Sequence, residues 1–397
     1  MVIPEQGIDP AFVDRAAALR GVVIAVAAVL PVFLASALAV QIRGDLRFGT
    51  AAFGGIVAAY FFVSSAGAVI MGAFTQKIGP ARGMSLACSM SAMAMLLAGL
   101  SRSWIELASA LALAGLANAI AQPASNMLLS VSIPTHRLGL AFGIKQSCVP
   151  GAALISGLTV PTVALVLGWR GTAILAAVIT AGYAGWLWCN SAGRTPTQRH
   201  GRGTLRESEA PISSLLFLTV GGFLGAAAGT SIGAFLPIAA VESGFSPSTA
   251  GWLYAAMAAG AIGSRIVLGW SVDRAPHVSR FGVIAALLGI GALGCLLLVT
   301  DNRALFVLGG SLGFVAGWGW TGVYHYTIVT WYRKAAAAAT GYVQTGLSLG
   351  AGAGPLSFGM VAERYGYAMA WLCTAGVTSM AAITMIGARS HLRARRR

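Results

Sequence analysis

The feature that most constrains the fold is a series of apolar stretches of 18 residues or more, which recur along the chain. Residues 212–240, for example, contain no charged side chain. A helix needs about 20 apolar residues to cross a hydrocarbon core about 30 Å thick. Only 9% of the 397 residues are charged, whereas a soluble domain carries about 25%. The sequence therefore predicts an integral membrane protein of the all-α class.

Charges and turn residues divide the chain into twelve predicted membrane spans. Their bounds are 19–41, 51–75, 83–101, 104–131, 138–167, 171–191, 212–240, 247–271, 280–300, 304–331, 335–363 and 367–388. The longest polar connection separates six spans from six. The predicted parts are an N-terminal segment 1–18, a six-helix half 19–191, a basic linker 192–211, a second six-helix half 212–388 and a basic tail 389–397.

The basic residues predict how the chain is oriented in the membrane. Most of the 26 Lys and Arg residues fall in alternate connections, such as those with Lys77 and Arg274, in the linker and in the C-terminal tail. Connections rich in Lys and Arg stay in the cytoplasm. We therefore expect both termini on the cytoplasmic side of the plasma membrane of a prokaryote. The net charge of +15 follows from this pattern, so no nucleic-acid partner is expected.

The two halves repeat each other at an offset of about 197 residues. The pairs related in this way are Phe48 and Phe245, Gly54 and Gly251, Gly72 and Gly269, Gln76 and Asp273, and Lys77 and Arg274. The pairs recur in separate regions, which indicates duplication of a six-span unit. Six spans return the chain to its starting side, so the two units have the same orientation, related by an axis along the membrane normal.

The spans have a six-plus-six layout, the central loop is basic, and the loop after the eighth span contains Gly269-Trp-Ser-Val-Asp273-Arg274. In these three features the chain resembles the major facilitator superfamily. The earlier loop, Gly72-Ala-Phe-Thr-Gln76-Lys77, keeps the glycine and the base but has Gln in place of Asp. The resemblance covers about residues 15–390. It implies a monomeric secondary transporter with twelve helices in two pseudo-symmetric halves, which is not an enzyme and carries no cofactor.

The loop residues predict a gate on the cytoplasmic side. A glycine one turn before the acid lets a neighbouring helix approach. Asp273 can then accept hydrogen bonds from Arg274, from a base elsewhere or from a helix N-terminus. The alternative is an interfacial turn with bases that only set topology. The candidate gating residues are Gly72, Gln76, Lys77, Gly269, Asp273 and Arg274.

Two charged residues, Lys145 and Arg265, fall inside predicted spans, whereas the 11 acids lie in loops, tails or span ends. A base within a span usually faces a cavity or a partner, and an anionic substrate would supply the missing partner. Arg265 resembles the span-8 arginine of the monocarboxylate and oxalate/formate branches, where it contacts the carboxylate. Alternatively, Arg265 pairs with Asp273 or snorkels, and Lys145 bonds to carbonyls or water.

Further candidates for substrate binding are polar or aromatic residues within spans. Asn118, Gln122 and Asn126 form a stripe on span 4, which lines the central cavity in the family fold; bonds between helices are the alternative.

On span 10, Trp320 and Tyr324 wall the cavity or belong to an interfacial belt. His325 carries a proton or is a neutral core residue. Gln146 and Gln344 correspond at an offset of 198.

The function expected from these observations is transport of a small organic solute by alternating access. Two buried bases favour an anion such as a monocarboxylate, with a coupling proton or a counter-anion left open. Efflux of neutral or cationic compounds and a non-transporting sensor of the same fold are the alternatives. The five cysteines have no paired spacing, so neither disulfides nor a metal site are expected.

Overall fold

A computed structural model describes residues 15–132, 138–190, 212–274, 279–332 and 336–394 of the protein. The described residues form α-helices and a single π-helical turn, with no strand among them. The helices are α1 Arg15–Ala37, α2 Ala39–Leu46, α3 Thr50–Ile78, α4 Pro80–Leu100, α5 Trp104–Ser132, α6 Leu138–Gln146, α7 Cys148–Thr159, α8 Leu165–Asn190, α9 Ile212–Glu242, α10 Pro247–Arg274, α11 Arg280–Leu297, α12 Arg303–Val315, α13 Thr321–Trp331, α14 Ala336–Tyr365 and α15 Tyr367–Ala394. The π-helical turn spans Val160–Ala164.

Nine stretches within the described ranges are long and apolar enough to cross a membrane. One of them, Gly139–Asn190, has 52 residues, which is enough for two crossings at about 20 residues each. It bends at Gly168, whose φ of 66° lies in the left-handed region that glycine adopts without strain. The predicted spans 138–167 and 171–191 meet at this bend, and the predicted all-α membrane class is confirmed.

Two other predicted spans are interrupted. Span 19–41 is divided between α1 and α2 at Leu38. Span 304–331 is divided between α12 and α13, with residues 316–320 in turns. Gly317 and Gly319 lie in this interruption, and glycine lowers helix stability by about 1 kcal/mol relative to alanine. Carbonyl groups in such a break lose their helical partners and become available to side chains.

The repeat is visible in the helices. Helices α3 and α10 begin at Thr50 and Pro247, 197 residues apart. The first half, α1–α8, packs on the second, α9–α15, along two seams: α3 lies against α14, and α6 and α7 lie against α10. Small residues permit this contact. A Cβ on Gly143 of α6 would lie only 2.5 Å from the carbonyl oxygen of Arg265 on α10.

The two ends of the bundle can be named after the acids that lie there. Glu242 ends α9, and α10 then runs back through 28 residues, or about 40 Å, to Asp273. Glu242 and Glu363 line the same cavity. We therefore refer to the Asp273 end and to the opposite Glu363 end.

Candidate functional site

The candidate site lies where the seam between the halves meets the break in the tenth predicted span. We call Lys145, Gln146, Arg265, His325 and Gln344 the interface cluster. Lys145 and Gln146 end α6 of the first half, whereas the other three belong to α10, α13 and α14 of the second. Arg265, Lys145 and His325 are 1%, 7% and 5% exposed. The cluster therefore joins both halves within the apolar interior.

Arg265 is held by two backbone carbonyl groups, each at a helix interruption. One guanidinium nitrogen donates to the carbonyl of Gln146. In a continuous helix this carbonyl would accept from the N–H of residue 150, but Pro150 has none. The other nitrogen donates to the carbonyl of Trp318, 2.6 Å away, within the break between α12 and α13. Arg265 thus satisfies acceptors that the sequence leaves free in both halves.

The side chain of Trp318 completes the wall behind Arg265. The guanidinium carbon lies 5.5 Å from the centroid of the indole ring, within the range of a cation–π interaction. The indole packs on α9, where a Cβ on Gly233 would lie 3.0 Å from it. Glycines on α9 therefore make room for aromatic residues of the tenth span.

No acidic side chain among the described residues balances the positive charge of the cluster. Lys145 forms no hydrogen bond or ion pair with a described residue, and the buried Nε of Arg265 has no described partner. The ion pairs among described residues, Arg43–Glu242 at 3.9 Å and Arg170–Asp45 at 3.0 Å, both involve α2. Arg265 does not pair with Asp273. A buried charge without a counter-charge costs several kcal/mol, and no described carboxylate offsets that cost at the cluster.

His325 links the cluster to three helices. Its Nδ1 lies 2.8 Å from the carbonyl oxygen of Thr321 and its Nε2 lies 3.2 Å from Oε1 of Gln344. The amide nitrogen of Gln146 lies 2.8 Å and 3.3 Å from the two ring nitrogens. Phe142 stacks on the ring with centroids 6.3 Å apart. The predicted symmetry-related pair, Gln146 and Gln344, therefore meets at His325.

The predicted stripe on span 4 lies apart from the cluster. Asn118 donates to the hydroxyl of Ser64 at 2.8 Å, and Gln122 donates to Oδ1 of Asn118 at 3.1 Å. The first bond joins α5 to α3 within the first half, which is the interhelical arrangement that the sequence left open, and the second lies within α5. Asn126 is exposed.

Trp320 and Tyr324 are fully buried against α9. Their rings meet edge to face, with centroids 5.1 Å apart. The hydroxyl of Tyr324 donates to the carbonyl oxygen of Leu218 at 2.7 Å. Both residues pack against α9, and Tyr324 also meets the ring of His325 edge to face, so a role in substrate binding stays a prediction. The sequence alone does not show that Trp318, rather than Trp320 or Tyr324, lies against Arg265, because all three are aromatic residues on one short segment.

Asp273 bridges the two halves. Its carboxylate oxygens accept from the backbone N–H groups of Gly139 and Leu140, each at 2.9 Å. These groups open α6, so the acid caps a helix N-terminus, one of its three predicted partners. Gly269 permits the contact, since a Cβ there would lie 3.0 Å from the carbonyl carbon of Gly139. Arg274 instead stacks on Trp270, 3.9 Å from its ring centroid.

The corresponding loop of the first half makes fewer contacts. Gln76 and Lys77 are exposed, and no described atom lies within 4 Å of a Cβ built on Gly72. Residues 333–335, which precede α14, lie outside the described residues, so the counterpart of the Asp273 contact stays a prediction.

At the Glu363 end, contacts between the halves surround a cavity of about 780 Å³. Glu363 accepts from the backbone N–H of Ala51 at 2.7 Å, which caps the first turn of α3. Arg43 and Glu242 form their ion pair across the same cavity. Sequence reasoning missed these acids because each lies at a span end. These acids could have been found from their position at a span end, where the first turn of a following or neighbouring helix offers N–H groups to a carboxylate.

Residues 21–299 and 218–396 match the family model described as Major Facilitator Superfamily. Solved structures show the same fold. The bacterial homologue of the human lysosomal transporter Spinster, in inward-facing unoccupied and occupied conformations, has TM-scores of 0.76 and 0.75 at 15% identity. These alignments cover 96% and 97% of this chain and 98% of that one. The human organic anion transporter MFSD10 (TETRAN) has a TM-score of 0.69 at 14% identity, over 93% of this chain and 99% of that one. Comparison with curated proteins gave no match.

Proposed function

Because the chain belongs to the Major Facilitator Superfamily, a family of membrane transporters, we propose that it moves a small organic anion across the membrane by alternating access. Lys145 and Arg265 are the counter-charges for the anion. The observation that carries the proposal is the burial of both cations, 7% and 1% exposed, without a described carboxylate beside them.

The geometry favours a compact anion with one carboxylate. The carbonyls of Gln146 and Trp318 each accept one N–H from a terminal nitrogen of Arg265, so Nε–H and one N–H on each terminal nitrogen are left to donate. The ammonium of Lys145 supplies up to three further donors. A substrate with one carboxylate brings no second negative charge into the apolar interior, so a monocarboxylate is the proposed class.

The seams between the halves suggest how the site changes sides. Asp273 caps α6 at one end, and Glu363 caps α3 at the other. Each cap joins a helix of one half to a helix of the other. In alternating access the halves rock around the binding site, so the two caps would break in turn while the interface cluster stays between them.

The distribution of Lys and Arg supports a plasma-membrane protein with the Asp273 end and both termini in the cytoplasm. The resemblance of the fold to an organic anion transporter is a likeness of fold alone at 14% identity. The proposed substrate class therefore rests on the charges of this chain's own cluster.

The test is counterflow in proteoliposomes loaded with L-lactate, pyruvate, succinate or cyanate. Wild-type protein is expected to exchange at least one of these anions with saturable kinetics, because the cluster offers two uncompensated cations. Lys145→Ala and Arg265→Ala are each expected to abolish the exchange. Arg102→Gln serves as the matched control, since Arg102 is an exposed base and its loss removes the same charge outside the cluster.

Normal exchange in both cluster variants would overturn the proposal. The proposal would also be overturned if the protein exchanged a neutral or cationic solute but none of the four anions. The four anions differ in charge and length, so their relative affinities also report whether one carboxylate is preferred over two.

A further inference from the structure

We infer that His325 takes up one proton when the anion binds, so that the protein carries proton and anion together. This inference rests on the proposed anion transport and adds the coupling ion and the residue that holds it. The observation behind it is the set of oxygen atoms that surround the imidazole ring.

The carbonyl oxygen of Thr321 fixes which nitrogen holds the permanent proton. A carbonyl oxygen can only accept, and it lies 2.8 Å from Nδ1, so Nδ1 carries an N–H. A neutral imidazole has one N–H, which leaves Nε2 as the atom that gains or loses a proton. Oε1 of Gln344 lies 3.2 Å from Nε2. The two oxygens can accept from both N–H groups of an imidazolium, whereas the NH₂ group of Gln146, as placed, suits a neutral ring.

Gln146 connects this proton to the contact between the halves. Its amide group reaches both ring nitrogens from α6, at 2.8 Å and 3.3 Å. An amide can present either its NH₂ group or its oxygen. A neutral ring has an acceptor nitrogen for the NH₂ group, whereas an imidazolium has donors only. Protonation therefore requires Gln146 to turn its oxygen toward the ring or to separate from it, which changes a hydrogen bond across the seam.

The charges around the ring make protonation depend on the anion. Arg265 on α10 donates to the carbonyl of Gln146, whose side chain reaches the ring, and Lys145 precedes Gln146 on α6. Tyr324 on the histidine's own helix touches the ring edge. From α14 the ring faces neutral Gln344. From α11 Arg280 bonds to Tyr326, the residue after His325, and to Thr330.

No described carboxylate balances this positive environment. Two cations oppose a third positive charge, and the single negative charge of a bound monocarboxylate reduces that opposition. The proton enters from water on the side where the anion binds, forms the Nε2–H bond, and returns to water on the other side as the anion leaves.

The test measures how the affinity for each anion of the counterflow panel depends on pH between 5.5 and 8. With one proton bound per anion, the apparent affinity of wild-type protein should fall about tenfold per pH unit above the transition. In an unbuffered solution with a pH indicator, binding should take up one proton per anion. His325→Gln keeps a neutral hydrogen-bonding side chain, and whatever anion binding the variant retains should show no pH dependence and no proton uptake.

A pH-independent affinity of wild-type protein, together with saturable anion exchange, would overturn the coupling and leave the proposed anion transport intact. Absence of exchange for every anion of the panel would overturn both. Proton uptake that persists in His325→Gln would place the proton on another group. The wild-type measurements decide the question even where the variant does not fold.

Discussion

The cap that Asp273 forms on α6 gives the sharpest prediction about the transport cycle. Replacement of Asp273 by Asn should weaken closure of the Asp273 end. The amide oxygen of Asn can still accept from one of the two N–H groups at Gly139 and Leu140. Its NH₂ group cannot accept from the other, and the negative charge at the helix N-terminus is lost.

The magnitude follows from these two losses. A hydrogen bond to a charged group contributes about 1.5–3 kcal/mol, and a charge at a helix N-terminus contributes about 0.3–1 kcal/mol. Asp273 is only half-buried, so the lower part of the combined range applies, about 2 kcal/mol. Since 1.36 kcal/mol corresponds to a factor of ten, the open population should rise about 30-fold.

Alkylation of Cys148 can measure this population. The thiol is 1% exposed at the start of α7, beside the seam that opens when α6 leaves α10. The other cysteines are replaced by serine; they are Cys88, Cys189, Cys295 and Cys373. If reclosing is fast, the rate of alkylation by a maleimide follows the open fraction. The rate in detergent should therefore increase about 30-fold in Asp273→Asn.

Asp301→Asn is the matched control, because Asp301 is an exposed acid at the Glu363 end and its loss changes the net charge equally. Equal alkylation rates in wild type and Asp273→Asn would show that the cap does not hold the closed state. A 30-fold rise in both variants would show that net charge, rather than the cap, controls opening.

Three further predictions use the same seams. Glu363→Gln removes the charged cap on α3 and should favour opening at the Glu363 end, so alkylation of Cys148 should slow. Gly143→Ala places a methyl group 2.5 Å from the carbonyl oxygen of Arg265. It should lower the free energy of unfolding in detergent by about 1–3 kcal/mol, measured as a lower melting temperature. Gly263→Ala is the control, because its methyl group would enter open space and should leave the melting temperature unchanged. Pro150→Ala restores an N–H that competes with Arg265 for the carbonyl of Gln146 and should change the KM of counterflow about fivefold, for about 1 kcal/mol; an unchanged KM would refute the role of that carbonyl.

The sequence predicted the helices well because their signal is local. Apolar length, charge and glycine positions place most span ends within a few residues of the observed helix ends, and the offset of 197 between α3 and α10 was visible directly. The breaks at Leu38 and at 316–320 were not predicted. Their causes lie partly in contacts with other helices, as in the case of Trp318, whose carbonyl is bonded by Arg265.

The composition of the site was predictable in part. Lys145 and Arg265 stood out because charged residues are rare within the predicted spans. His325 stood out because no other histidine falls within a predicted span. That Pro150 frees the carbonyl of Gln146 could be read from the four-residue spacing, but its acceptance of Arg265 could not. The two residues lie 119 positions apart, and no local pattern encodes such a pairing.

The acids at the two ends explain an asymmetry of the repeat. Asp273 has no acidic counterpart, because the offset places Gln76 there. Glu363 also belongs to the second half, and the offset places Leu165 or Val166 opposite it. Both caps therefore take their acid from the second half and their N–H groups from the first, on α6 and α3. One cap lies on each seam and at each end, so a rocking motion that breaks one need not break the other. The duplication supplies matching helices, and in both described caps the acid comes from the second half.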